Sequence, residues 1–143
     1  MNRVGRALWR TGNRFGVWVY RRTGGRMGGK ARGGTPVLVL TVKGRKSGQP
    51  FSTPVAYFQR DDGWLVVGAG AGRPEEPQWF RNLRATDDAV VEIQDRRQDV
   101  AVRVLAGDER DTAFTQVVAE NPGFAAYEPK SGRRMPVALL SPR

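Results

Sequence analysis

The sequence predicts a mainly β domain of the α+β class, a small mixed barrel of six strands with peripheral helices, and three observations predict it. At 143 residues and 15.8 kDa the chain is long enough for one hydrophobic core and too short for two substantial ones. From Pro36 onward its apolar residues fall into six short, β-branched runs. The segments joining several of those runs carry the Gly, Asp, Ser and Pro chemistry of tight turns.

Taken in order, residues 1–22 read as an amphipathic helix. At 100° per residue Val4, Ala7, Leu8, Thr11, Phe15, Trp18 and Val19 fall on one side, and Arg3, Arg6, Arg10, Arg14 and Arg21 fill an adjacent arc. The arginines interrupt any run long enough for a secretory signal, so the segment is expected to be retained. Such a helix either lies on an anionic membrane surface, with Trp and Phe at the acyl boundary, or packs on its own domain. Residues 23–35, TGGRMGGKARGGT, read as a basic, glycine-rich flexible linker. Gly24, Gly29 and Lys30 have the spacing of a phosphate-binding P-loop, but Ala31 stands where the magnesium-binding Ser or Thr is needed and no strand precedes Gly24.

Residues 36–143 then form the barrel domain. Its strands are expected at Val37–Val42, Phe51–Phe58, Trp64–Val67, Ala89–Gln94, Val100–Leu105 and Pro136–Leu140. Lys43–Pro50, Arg60–Gly63 and Asp95–Gln98 read as tight hairpin links. Glu75–Arg84 and Gly107–Glu120 have helical character, the second entered through Asp108 as N-cap with Asp111 three residues on and a stripe of Ala113, Phe114, Val117 and Val118. The stretch from Asn121 to Pro129 reads as a loop.

Composition narrows the chemistry. The chain has no Cys and no His, which removes imidazole and thiolate metal sites, Cys nucleophiles, Ser-His-Asp triads and disulfides. Demanding chemistry must then come from a bound cofactor, and no metal site or catalytic side chain can be assigned. A formal charge of +10 points to anionic partners, and the first sixty residues hold thirteen Lys or Arg and no acid. Arg outnumbers Lys twenty to four, which suits phosphate and carboxylate recognition and equally suits a GC-rich genome. Mean hydropathy is −0.51, and no apolar run reaches the length of a membrane span. A cytoplasmic location, or a peripheral one on the inner face of the plasma membrane, is the corresponding expectation.

Three segments can hold chemistry. Gly44-Arg45-Lys46-Ser47-Gly48 has the composition of an anion site, since flanking glycines let successive N–H groups converge beside three side-chain donors. A hairpin turn with solvated charges would look the same. Gly68-Ala69-Gly70-Ala71-Gly72-Arg73 follows a strand and offers backbone that a planar ligand can approach, although it lacks the third glycine of a dinucleotide fingerprint. Pro77 to Leu83 opens a helix whose Trp79 could stack on a ring and whose Asn82, one turn later, could hydrogen-bond it; burial of Trp79 in the core competes with that reading.

The order of these segments resembles the deazaflavin-dependent nitroreductase and quinone reductase family. The resemblance is carried by Gly44 to Pro50 after an apolar strand, Thr53-Pro54 with Tyr57 in the next, the glycine loop, Pro77-x-Trp79-Phe80-x-Asn82-Leu83, Asn121-Pro122-Gly123-Phe124 and Arg134-Met135-Pro136-Val137. It covers nearly the whole chain. It implies a split β-barrel related to FMN-binding proteins of the pyridoxamine-oxidase type, and hydride transfer from reduced coenzyme F-420, an 8-hydroxy-5-deazaflavin, to a quinone or nitroaromatic acceptor. Carried over by position, Arg45, Lys46, Ser47 and Gly48 would hold the coenzyme's phosphate and acidic tail. Pro54 and Val55 would lie beside its ring, Gly68, Ala69, Gly70, Ala71, Gly72 and Arg73 would pass over it, and Trp79 and Asn82 would close the pocket. Tyr57, Phe124 and Tyr127 would line the acceptor side.

Departures from the family pattern occur at Ala69-Gly70, where relatives often carry Ser-Lys, at Phe51, where they often carry a basic residue, and at Asn121 and Phe124, where tyrosine is common. Fewer phosphate contacts and a different acceptor pocket follow. The acceptor's proton would come from solvent, Tyr57 or Tyr127, and a tyrosine of pKa about 10 is a poor acid at neutral pH. Related barrels use FMN, which is the alternative cofactor. A basic barrel binding single-stranded nucleic acid is the alternative outside enzymology, and the scatter of aromatics among expected core positions argues against it. A homodimer is compatible with the resemblance.

Overall fold

The computed structural model describes residues 14–25, 28–30 and 34–143. Six antiparallel strands close into one barrel: β1 (Val37–Lys43), β2 (Pro50–Arg60), β3 (Gly63–Val67), β4 (Asp88–Ile93), β5 (Arg96–Val104) and β6 (Val137–Pro142), in the order β1-β2-β3-β6-β5-β4. The helices are α1 (14–22), α2 (Gln78–Arg84), α3 (Gly107–Glu120) and α4 (Tyr127–Ser131), with 3-10 turns at Gly70–Gly72 and Pro122–Ala126. Closure pairs every strand on both sides, so no edge is left among them.

The period-2 pattern of the strands creates two apolar faces. Leu38, Leu40, Val42, Val55, Val66, Ala89, Val91, Val100, Ala138 and Leu140 fill the interior, and Phe80 and Leu83 of α2 join them. Phe58, Leu65, Val67, Val137 and Leu139 point outward, where Ala113, Phe114 and Val117 of α3 cover them. Both faces of β1 are buried, because Val37 and Val39 pack outward under Val17 and Tyr20 of α1. That double burial explains the unbroken apolar run in the sequence.

The helix α1 presents a different face from the one its periodicity suggests. Phe15 and Trp18 are 66% and 60% exposed and stack on each other, while Val17 and Tyr20 are buried. The physical reason is Tyr20, whose hydroxyl donates to the Glu92 carbonyl at 3.3 Å and accepts from the Gln94 amide at 2.6 Å. A buried phenol finds both partners only where β4 ends, and this fixes the helix's rotation. Arg21 adds a bidentate pair with the Glu92 carboxylate. The part of the expected helix before residue 14, with its arginines, lies outside the described residues. The described parts of 23–35 are tied down rather than free: Gly25 N–H donates to the Tyr20 carbonyl, Val37 N–H to Gly29, and the Asn121 amide reaches the buried Thr35 hydroxyl at 2.8 Å.

All six expected strands are present, with three local corrections. The β4–β5 hairpin turns at Gln94-Asp95, not Asp95–Gln98, because Ile93 pairs with Arg96 and Gln94 takes a left-handed φ of 57°; the charged run Arg96–Asp99 is the outer rung of β5, where solvent takes its side chains. Ala106, not Asp108, is the N-cap of α3, and Asp108 and Glu109 instead sit in the first turn against the positive end of the helix dipole. The expected Asn121–Pro129 loop is a 3-10 turn followed by the start of α4, launched by the Asn121 carboxamide accepting from Gly123 N–H at 3.1 Å.

Candidate coenzyme-binding site

The three segments singled out in the sequence meet around α2. On one side lies the β1–β2 turn, closed by Gly44 N–H to the Gln49 carbonyl and Gly48 N–H to the Gly44 carbonyl, both at 2.8 Å. Arg45 fastens it to α2, since its backbone N–H and its guanidinium both donate to Asn82 Oδ1, at 3.1 and 2.8 Å, and a second guanidinium nitrogen donates to Gln78 Oε1 at 2.9 Å. Asn82 is buried. Its carboxamide oxygen is therefore committed to the turn, a role distinct from bonding a ring.

These acceptors are neutral. The Arg45 charge has no carboxylate partner among the described residues, and the exposed Lys46 has none either. Ser47 turns its hydroxyl back to accept from Gln49 N–H at 3.2 Å, and Gly48 holds a left-handed φ of 72°. The result is an exposed turn with two uncompensated cations, stiffened by a helix.

On the other side of α2 lies the glycine loop. Gly68 is pressed between Phe80 and Pro136, and a Cβ there would come within 2.9 and 2.8 Å of their side chains. Gly68→Ala is expected to lower stability by about 1–3 kcal/mol through overpacking, read from the urea midpoint. Gly70 approaches Pro77, the residue before α2. Ala71 holds φ 56°, a conformation that costs an L residue, and it does so because the loop is gripped from behind. Lys130 Nζ donates to the Ala71 carbonyl at 3.1 Å, and the Arg133 guanidinium donates to the carbonyls of Gly68, Ala69, Arg73 and Glu75 at 3.0–3.3 Å.

The remaining expected site residues separate. Val55 points into the barrel interior, whereas its neighbour Pro54 faces outward beside Gly16 of α1, so the two lie on opposite sides of β2. Tyr57 is half-buried against the interior cluster, and burial pushes its phenol above the ordinary value, making it a still poorer proton donor at neutral pH. Trp79 packs partly buried against the same cluster, edge-on to Phe80 at 5.5 Å. Phe124 belongs to the outer cluster, edge-on to Phe58 at 5.5 Å, so the barrel wall divides it from Tyr57. Tyr127 joins Phe124 at 5.1 Å and flanks Gly72 of the glycine loop. Tyr57, Phe124 and Tyr127 thus do not share one face.

Gln78, Lys130 and Arg133 hold the site segments together and are not distinguishable by sequence reasoning. Gln78 is one residue of an amphipathic turn, and Arg133 and Arg134 are adjacent identical residues of which only the first turns inward. The left-handed Gly132 that ends α4 is the one signal that the chain reverses there.

Comparison with known proteins extends this geometry. Residues 12–142 match the family model described as F420H(2)-dependent quinone reductase. An F420H(2)-dependent quinone reductase of Mycobacterium tuberculosis is 32% identical over 128 residues, spanning 87% of this chain and 86% of that protein. Among solved structures, the F420-H2 dependent reductase FDR-A superposes with a TM-score of 0.67 at 28% identity, over 74% of this chain and 94% of that one. A putative pyridoxamine 5'-phosphate oxidase from Listeria innocua, 11% identical with a TM-score of 0.51 over 75% of this chain and 83% of its own, shares the fold alone.

Proposed function

The chain belongs to the F420H(2)-dependent quinone reductase family, and on that premise we propose which of its residues serve an oxidoreductase that passes a hydride from reduced coenzyme F-420 to a quinone-type acceptor. The observation that carries the assignment is the β1–β2 turn. Arg45 and Lys46 are cations without carboxylate partners among the described residues, on a turn that Arg45 fastens by hydrogen bonds to the helix that also supports the glycine loop. That donor set fits a ligand with a phosphate and carboxylates at one end and a flat ring at the other.

The coenzyme, when bound, supplies the hydride from its deazaflavin ring. The protein's part is orientation. Arg45, Lys46, Ser47 and Gly48 take the anionic end. Gly68, Ala69, Gly70, Ala71 and Gly72 present a backbone surface without bulky side chains to the ring, with Arg73 at its end, and Trp79 and Asn82 hold α2 at the fixed distance between the two. Tyr127, beside Gly72, is the aromatic placed to meet an acceptor at the loop; Pro54, Val55, Tyr57 and Phe124 act through the wall that supports it. The chain has no His or Cys to offer a proton, and the Tyr57 phenol holds its own more tightly than usual, so the acceptor's proton is expected from solvent rather than from Tyr57.

The test is a visible-absorbance titration of the full chain with coenzyme F-420 and, separately, with FMN, followed by a quinone-reduction assay. Saturable deazaflavin binding and reduction of a quinone or nitroaromatic compound are expected. Binding of FMN alone overturns the coenzyme assignment, and tight binding of single-stranded nucleic acid with neither coenzyme overturns the enzymatic one.

We propose that the exposed Phe15–Trp18 pair on α1, flanked by the exposed Arg14 and Arg22, meets an anionic membrane surface. Among the described residues no helix is long and apolar enough to cross a bilayer. Sedimentation with anionic vesicles at low salt should fall sharply in a Phe15→Ser, Trp18→Ser variant, with coenzyme affinity unchanged. Equal sedimentation of the two proteins removes the pair from the account.

A further inference from the structure

Four carbonyl oxygens of the glycine loop, and that of Glu75 just beyond it, are taken from one side by a single short segment. Lys130 holds Ala71, and Arg133 alone holds Gly68, Ala69, Arg73 and Glu75. The loop has little of its own to keep its shape, with Gly72 N–H to Ala69 and Arg73 N–H to Gly70 as its internal main-chain bonds. Gly70, Ala71 and Gly72 all have positive φ. A guanidinium is the side chain suited to the task, since its planar fork carries five N–H donors in fixed directions.

The segment is itself anchored. Arg110 of α3, nearly buried, donates to the Met135 carbonyl at 3.0 and 2.7 Å and to Glu128 Oε2 at 2.9 Å, and the same carboxylate oxygen accepts from Met135 N–H at 2.9 Å. Ser131 Oγ accepts from Arg133 N–H at 3.2 Å. Arg133 therefore reaches the loop from a backbone fixed on both sides.

We propose that Arg133 is the positioning residue of the coenzyme-binding loop: by collecting four carbonyls behind it, Arg133 sets the peptide planes that the loop presents on its other face. The C=O of one peptide and the N–H that follows point in opposite directions. Holding the Ala69 carbonyl thus aims the Gly70 N–H outward, whereas the Ala69 N–H, opposite the Gly68 carbonyl, is spent within the chain on the Val67 carbonyl at 2.9 Å. The inference rests on the reading of residues 68–73 as the ring-contacting surface. Burial pulls the Arg133 guanidinium below its ordinary value, consistent with partners that are carbonyl dipoles, but it leaves the residue charged.

The experiment compares wild type, R133K and R133Q in the full chain by two readouts. One is hydrogen exchange of the amides between Gly68 and Glu75 in the protein alone, and the other is coenzyme F-420 affinity by absorbance titration. In both variants the loop amides should exchange at least about tenfold faster while strand amides keep their protection. Coenzyme Kd should rise at least about tenfold even in R133K, which retains the charge. Wild-type exchange and affinity in R133K overturn the proposal, because charge without fork geometry would then suffice. Affinity lost with loop exchange unchanged overturns it too, since Arg133 would then touch the coenzyme. Strand amides accelerated as much as the loop would make Arg133 a residue of global stability and likewise sink it. If R133Q does not fold, R133K decides. A wild-type protein that fails to bind the deazaflavin defeats the coenzyme reading, and the exchange readout still decides whether Arg133 shapes the loop.

Discussion

Replacing Arg45 and Lys46 together by alanine is expected to weaken coenzyme F-420 binding by about 2–4 kcal/mol, with the fold intact. Each charge-assisted hydrogen bond contributes roughly 1.5–3 kcal/mol, and neighbours on one turn do not add fully. The fold survives because Asn82 Oδ1, buried in α2, keeps the backbone N–H of residue 45 as a donor when the guanidinium is gone. Lys46→Ala alone isolates the pure charge effect, since Lys46 has no ion-pair partner among the described residues to lose. An equilibrium titration on each variant, beside a urea unfolding curve, separates binding from stability. Unchanged affinity in the double variant would falsify the anion-cradle assignment.

Arg110→Ala is expected to destabilise the protein by about 3 kcal/mol, the scale for removing one member of a buried ion pair. The side chain is 10% exposed, and its loss strips the Met135 carbonyl of both guanidinium donors and leaves Glu128 with only the Met135 N–H. The cation also lies 4.7 Å from the centre of the Phe114 ring, so packing is lost with the charge. Asp111→Asn is the matched control. That carboxylate is half exposed, held low chiefly by its hydrogen bond from Arg110, and solvent screens it, so no measurable loss is expected. A urea midpoint for Arg110→Ala equal to that of wild type would show that the network contributes nothing.

The strands were legible because each is a short β-branched run whose ends carry turn chemistry, and a barrel asks little more of a sequence than that. The rotation of α1 was not, because Phe15 and Trp18 outweigh Val17 and Tyr20 in hydrophobicity while a single hydroxyl bonded to Gln94 decides which pair turns inward. The turn at Arg45 was visible as a cluster of donors; its attachment to Gln78 and Asn82 was not, since these residues are brought to it only by barrel closure. The acceptor-side trio illustrates the limit of segment order. Tyr57 and Phe58 are neighbours in sequence and face opposite sides of a strand, and Phe124 packs with the second of them.

The closure of the barrel has its own weak point. Strands β1 and β2 pair over seven positions, but β1 and β4 meet over three, Val39 with Glu92, Leu40 with Val91 and Thr41 with Val90. These partners are far apart along the chain, so the seam carries a loop-closure cost that the β1–β2 hairpin does not and is expected to form after it. Helix α1 lies across it like a clasp. Gly16 lies beside Pro54 on β2, Val17 and Tyr20 cover Val37 and Val39 on β1, and Tyr20 and Arg21 reach Glu92 on β4 and Gln94 just past its end. Shortening the chain past Tyr20 would therefore do more than remove a surface helix. It would release two neighbouring strands whose freed N–H and C=O groups can pair with another molecule, turning a self-contained barrel into a template for edge-to-edge aggregation.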